Sequence, residues 1–133
     1  MVKKIHHINF IVRDLDAAIP AYEKILGMPV SRRDRLKQRG VRAARFLVGG
    51  TWIVLDQRTR PDSEPGQYLA DRGEGFFLMS LQVDSLATGV SAIGSALADG
   101  PERAGADDWR VVDLRRDRTF GAQLQYGAEA PTE

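Results

Sequence analysis

The sequence predicts an α+β fold: two βαβββ modules that together form an open, cupped mixed sheet with helices outside. Two observations carry this. The first is an internal repeat at a constant shift of 71 positions. "HINFIVRDLDAAI" from His7 and "LMSLQVDSLATGV" from Leu78 both read as an alternating strand ending in Val, followed by Asp and then a Leu that opens an apolar-periodic segment. The same shift pairs Leu26 with Leu97, Val41 with Val112, Gly50 with Gly121, Ile53 with Leu124 and Leu55 with Tyr126. The second is length, since 133 residues suffice for one structural domain with a real core. The modules are read as 1–66, with its linker, and 67–133.

Each element follows from local chemistry. Residues 4–12 alternate as a strand. Asp14 is placed to cap a helix whose apolar face is Leu15, Ala18, Ile19, Tyr22, Ile25 and Leu26, with Gly27 closing it. Pro20, a turn inside, should bend or shorten that helix. Strands are expected near 30–34, 41–48 and 51–57, the last two joined by the Gly49–Gly50 turn. "RPDSEPG" at 60–66 reads as a linker into a short helix near 67–71. The second copy gives a strand at 76–83, a helix at 86–98, a weak strand near 103–105, and strands at 108–115 and 121–127. The tail from Gly127 reads as frayed.

A βαβββ module leaves one sheet face uncovered, so the pairing predicts a cup lined by strand residues of both copies, a natural small-ligand site. Composition excludes other classes. There is no cysteine, hence no disulfide or thiolate chemistry, and a cytoplasmic setting is expected. No apolar run approaches a membrane span. Net charge is +1, although "SRRDRLKQRGVRAAR" (31–45) holds six arginines and a lysine against one aspartate, and "RRDR" recurs at 115–118. Such patches suit an anionic ligand; without interleaved aromatics or a recognisable module, no nucleic-acid partner is expected.

"HINFIVRDLDAAIPAYEKILGMPV", "GEGFFLMSLQVDSL" and "GGTWIVL" followed by "RPDS" resemble the vicinal oxygen chelate superfamily of glyoxalases, bleomycin-resistance proteins and dioxygenases. The likeness covers about residues 4–127, and its look is nearest the methylmalonyl-CoA epimerases. It implies the paired-module fold, a homodimer, and a metal ligand on the first and last strand of each module. Carried onto this chain, those four positions are His7, Val54, Leu78 and Gln125. Two aliphatic groups, one imidazole and one neutral amide are a poor set for a divalent ion, so neither metal nor other cofactor is expected. The epimerases' two carboxylates fall on Gln125 and on the "KQRGV" segment (37–41), where no carboxylate stands. Epimerase activity is therefore not expected.

With alternation anchored at His7, the cup-facing residues are His7, Asn9, Arg45, Trp52, Val54 and Asp56 in the first copy. Phe76, Leu78, Ser80, Gln123 and Gln125 complete the set. His6 should point the other way, to the outer helix or solvent. An imidazole suits proton transfer near neutrality, so His7 is the expected acid/base, with Gln125, Asn9, Gln123 or Arg45 donating to an oxyanion. The expected function is a metal-independent lyase or isomerase working beside a carbonyl or thioester of a small, possibly CoA-linked substrate. The alternatives are a non-catalytic small-molecule or antibiotic binder, and a metal-dependent member using His7, Asp56 and Gln125.

Overall fold

The computed structural model describes residues 1–37, 40–60, 62, 64–105 and 109–129. Its elements run β1 (Val2–Ile11), α1 (Leu15–Leu26), β2 (Arg32–Leu36), β3 (Val41–Val48), β4 (Thr51–Arg58), α2 (Glu64–Arg72) and β5 (Gly75–Val83). Then come α3 (Leu86–Ile93), a 3-10 turn (Ser95–Leu97), β6 (Ala98–Ala104), β7 (Trp109–Leu114) and β8 (Leu124–Glu129). This is the α+β, twice-βαβββ order read from the repeat. The chain divides into two compact units, His7–Phe77 and Met1–His6 with Leu78–Glu133.

In the first unit the strand order is β2-β3-β4-β1, with β1 and β4 parallel and the rest antiparallel. Asp14 caps α1 by accepting from the Ala17 N–H, and Gly27, left-handed at φ 68, closes it with its N–H on the Glu23 carbonyl. The helix runs its full 12 residues through exposed Pro20, so the expected shortening does not occur. Leu15 and Ile19 are 1–2% exposed and pack with Ala44, Phe46 and Leu55 of β3 and β4. Each buried side chain of that size stabilises by about 1.5–3 kcal/mol, enough to hold a proline in place. This cluster also fixes faces: even positions of β3 and odd positions of β4 meet α1, and their neighbours point away from it.

The second unit repeats the plan as β5-β8-β7-β6, with β5 and β8 parallel. Ser85, 71 positions after Asp14, caps α3 through the Thr88 N–H. The helix stops at Gly94 (φ 90, ψ 137) rather than reaching 98, because that backbone cannot continue a helix. β6 then starts at Ala98, earlier than expected. It is an edge strand carrying Pro101 and a register shift between Asp99 and Arg103, features that hide a strand from pattern reading. Val83, Leu86, Val112, Leu114, Tyr126 and Ala128 form its core against α3.

One register correction matters for the site. Asn9 opposes Val54, and Ser80 opposes Gln125, so the shift of 71 holds on the first and last strands. On the third strand Arg45 opposes Val54 but Asp113 opposes Gln125, a shift of 68. Val41 and Val112 are therefore not equivalent. The tight Gly49–Gly50 turn of the first copy is replaced by the longer Arg115–Gln123 connection in the second, which absorbs the difference.

Candidate functional site

In the first unit, the face turned from α1 presents three cross-strand rows. They are His7–Trp52–Leu47, Asn9–Val54–Arg45 and Ile11–Asp56–Ala43. Six of the expected residues thus share one face. Asn9 is 4% exposed, and its Oδ1 is buried without a hydrogen-bond partner. The Arg45 guanidinium lies 4.8 Å above the Trp52 ring, and its Nε is 3.4 Å from Asp34 Oδ2. Asp34 also accepts from Arg32 at 2.8 Å. On the opposite face Arg33 and Arg42 reach Asp16 of α1. The arginine-rich hairpin is thus largely paired with carboxylates; Arg35 and Lys37 are exposed, and Gln38 and Arg39 lie outside the described residues.

Phe76 leaves this face. Its ring meets Phe10 edge-on at 6.3 Å, Phe10 packs in the α1 cluster, and the Tyr68 hydroxyl donates to the Phe76 carbonyl at 2.7 Å. Asp56 is buried, but the register puts it opposite Ile11, four residues or roughly 13 Å along the strand from His7. The two cannot share an ion, which removes the His7–Asp56–Gln125 metal set.

In the second unit, Leu78, Ser80 and Gln125 are all within 1% of complete burial. Gln125 Nε2 donates to Asp113 Oδ1 at 3.2 Å, and Arg103 forks the same carboxylate at 2.8 and 2.9 Å. One N–H of the Gln125 amide is thereby committed to Asp113. Gln123 is half-buried, its carbonyl accepting from the Met79 N–H at 3.0 Å. The Ser80 hydroxyl has no partner. His6, expected to face helix or solvent, instead stacks on Trp109 at 3.9 Å with planes 16° apart. Trp109 is on the face turned from α3, over Gly127, where a Cβ would fall 2.7 Å from its Cζ2.

Sequence reading missed Arg103, Asp113, His6 and Trp109. The constant shift equated Asp113 with Arg42, on the helix side; the true register equates it with Arg45, turned from the helix. Two other ion pairs serve the frame. Lys3, hydrogen-bonded to Asp84 at 3.0 Å, holds that carboxyl below the usual carboxylate range, and Arg115 does the same to Asp117 in the second arginine cluster. Both carboxylates are solvent-exposed, so these pairs add little.

The residues at the resemblance's ligand positions do not fit a divalent cation. Val54 and Leu78 have no lone pair to give, and Gln125 offers only a neutral oxygen. Among the described residues no three His, Asp or Glu come together. Nor is any helix among them long and apolar enough to cross a membrane.

Residues 4–122 match the family model for the Glyoxalase/Bleomycin resistance protein/Dioxygenase superfamily. A variant of Streptomyces coelicolor methylmalonyl-CoA epimerase, in complex with 2-nitronate-propionyl-CoA, is similar at 25% identity and a TM-score of 0.89, covering 100% of this chain and 99% of that one. A methylmalonyl-CoA epimerase in complex with methylmalonyl-CoA and ammonium is similar at 24% identity and a TM-score of 0.88, covering 98% and 100%. The Mycobacterium tuberculosis methylmalonyl-CoA epimerase is similar at 24% identity and a TM-score of 0.87, covering 98% and 90%. With the family match spanning most of the chain and the fold shared, the chain belongs to the glyoxalase/bleomycin resistance protein/dioxygenase superfamily.

Proposed function

We propose that this chain is a metal-independent lyase or isomerase that moves a proton at a carbon beside a carbonyl or thioester of a small organic substrate. The observation that carries this reading is Asn9. A buried amide oxygen without a partner costs about 1–3 kcal/mol, and folded proteins keep such groups where a ligand completes them. Asn9 is two residues from His7 on the same strand face, so a ligand held by that amide meets the imidazole. His7 transfers the proton, Arg45 polarises the carbonyl oxygen, Asn9 Oδ1 accepts from an N–H or O–H of the ligand, and Trp52 and Val54 supply the apolar wall. A CoA-linked substrate is favoured because two similar structures hold CoA-linked ligands, with Arg35 and Lys37 as exposed cations for its phosphates. Methylmalonyl-CoA epimerase activity itself is not proposed, since Gln125 replaces a carboxylate that the resemblance requires. A homodimer and a cytoplasmic setting complete the reading.

One observation favours a second reading, a non-catalytic binder of planar molecules such as antibiotics. On the first unit's face Trp52 stands beside His7 in register with Arg45 over its ring, a flat surface suited to stacking a planar ligand. A single experiment separates the two. Acyl-CoAs, aromatic acids and antibiotics are screened by thermal shift, because a ligand bound only by the native state raises the melting point. Ligands that shift it are then incubated with the protein in D2O. An enzyme of the proposed kind exchanges the hydrogen beside the carbonyl for deuterium. A shift without exchange supports the binder, and no shift across the panel defeats both readings.

A further inference from the structure

A polar row crosses all four strands of the second unit: Ser80 on β5, Gln125 on β8, Asp113 on β7 and Arg103 on β6. Ser80 opposes Gln125, and Gln125 opposes Asp113, so the three side chains are cross-strand neighbours. Arg103 fixes the far end, donating from Nε to Asp113 Oδ2 and from Nη2 to Oδ1. A carboxylate held in this way can only accept. Gln125 must therefore turn Nε2 toward it, as the 3.2 Å contact shows, and the amide cannot be reversed without setting oxygen against oxygen.

The consequence lies at the other end of the amide. That Nε2 donation is the one hydrogen bond of the Gln125 side chain among the described residues, so Oε1 is left to accept. Beside it in register the Ser80 hydroxyl, 0% exposed, has no partner either. Two adjacent polar atoms on almost fully buried residues, both open to a partner, constitute a ligand contact. Their chemistry defines the ligand. Oε1 only accepts, and the hydroxyl can accept or donate, so the pair fits a neutral group bearing an O–H or N–H. A carboxylate would bring lone pairs against Oε1.

We propose that Asp113, clamped by Arg103, is a positioning residue that turns Gln125 acceptor-outward. This face of the second unit thereby selects a hydroxyl or carboxamide over a carboxylate on a ligand that meets it. The inference rests on the small-organic-ligand reading above and adds which functional group is recognised.

The test uses benzamide and benzoate, which share ring and shape and differ in the donor. By titration the wild-type protein should bind benzamide about tenfold more tightly than benzoate, the worth of roughly one hydrogen bond. In Asp113→Asn, Arg103 holds Oδ1 and the new Nδ2 donates to Gln125. The amide then reverses, and the preference should vanish or invert. Gln125→Leu leaves the Arg103–Asp113 pair intact and should also abolish the preference, which covers failure of the first variant to fold. Independently of ligand, the Gln125 side-chain amide protons should resist solvent exchange by nitrogen-edited NMR in the wild type, and lose that protection in Asp113→Asn. Benzoate binding as tightly as benzamide, an unchanged preference in Asp113→Asn, or unprotected Gln125 protons would each overturn the proposal. Failure of both probes to bind also overturns the selection. Failure of the broader reading has a different signature, the absence of any thermal shift across the full panel.

Discussion

Replacing His7 by alanine is expected to lower deuterium exchange into the substrate by about 10²–10⁴-fold, the usual contribution of a positioned acid/base. Affinity should change far less. The reason is the row structure of the first unit. Asn9, Val54, Arg45 and Trp52 hold their positions through the β1–β4 and β3–β4 ladders, whose hydrogen bonds are backbone bonds that a side-chain truncation leaves intact. The imidazole removes a proton, while the guanidinium holds the oxygen and the Asn9 amide accepts from the ligand, so the two functions separate in the variant. Exchange rates by proton NMR and dissociation constants by calorimetry, measured on one ligand, read them apart. Exchange at wild-type speed in His7→Ala would move the proton carrier elsewhere. Equal loss of binding and exchange would make His7 a ligand contact rather than the proton carrier.

A second large effect is structural. Gly127→Ala should destabilise the protein by about 3 kcal/mol or more, comparable to removing a large aromatic from a core. Gly127 is outside the left-handed region, so the requirement for glycine is one of space. An alanine Cβ would collide with the Trp109 indole, which is 8% exposed and stacked on His6 at 3.9 Å. The indole has nowhere to retreat; it either leaves its slot or forces β7 from β8. For a chain of this size the loss corresponds to a fall in melting temperature of roughly 10 °C. Trp109 emission should shift to longer wavelength as the ring becomes wet. A variant within 1 °C of wild type would show that the indole does not occupy this slot.

Much of the frame was legible because it depends on local chemistry. Asp14 announces a helix start by its side chain, Gly49–Gly50 announces a hairpin, and the alternation around His7 fixes which residues turn from α1. What was hidden depended on lengths that propensity does not report. The longer connection before β8 shifts the third strand by three positions, and with it the face of Asp113. Without that register Gln125 reads as a free amide; with it, one N–H is held by a carboxylate and the amide's orientation is set. Phe76 failed for a different reason. Alternation pointed it with Leu78, but its ring, 40% exposed, meets Phe10 edge-on, a contact that strand parity does not report. His6 shows the converse, since a residue discounted for its parity is fixed against Trp109. The reading against a metal rests on residue type: valine and leucine at two of the four inherited positions remain non-ligands whatever the geometry.

That replacement is the claim on which the chemistry turns, and metal loading tests it most directly. The protein is purified without chelator, incubated with equimolar zinc, cobalt or nickel, desalted, and analysed for metal per chain. The account predicts well under a tenth of an equivalent of each, and no change in melting temperature. One tightly held equivalent, released only by a chelator and accompanied by a raised melting temperature, would contradict it.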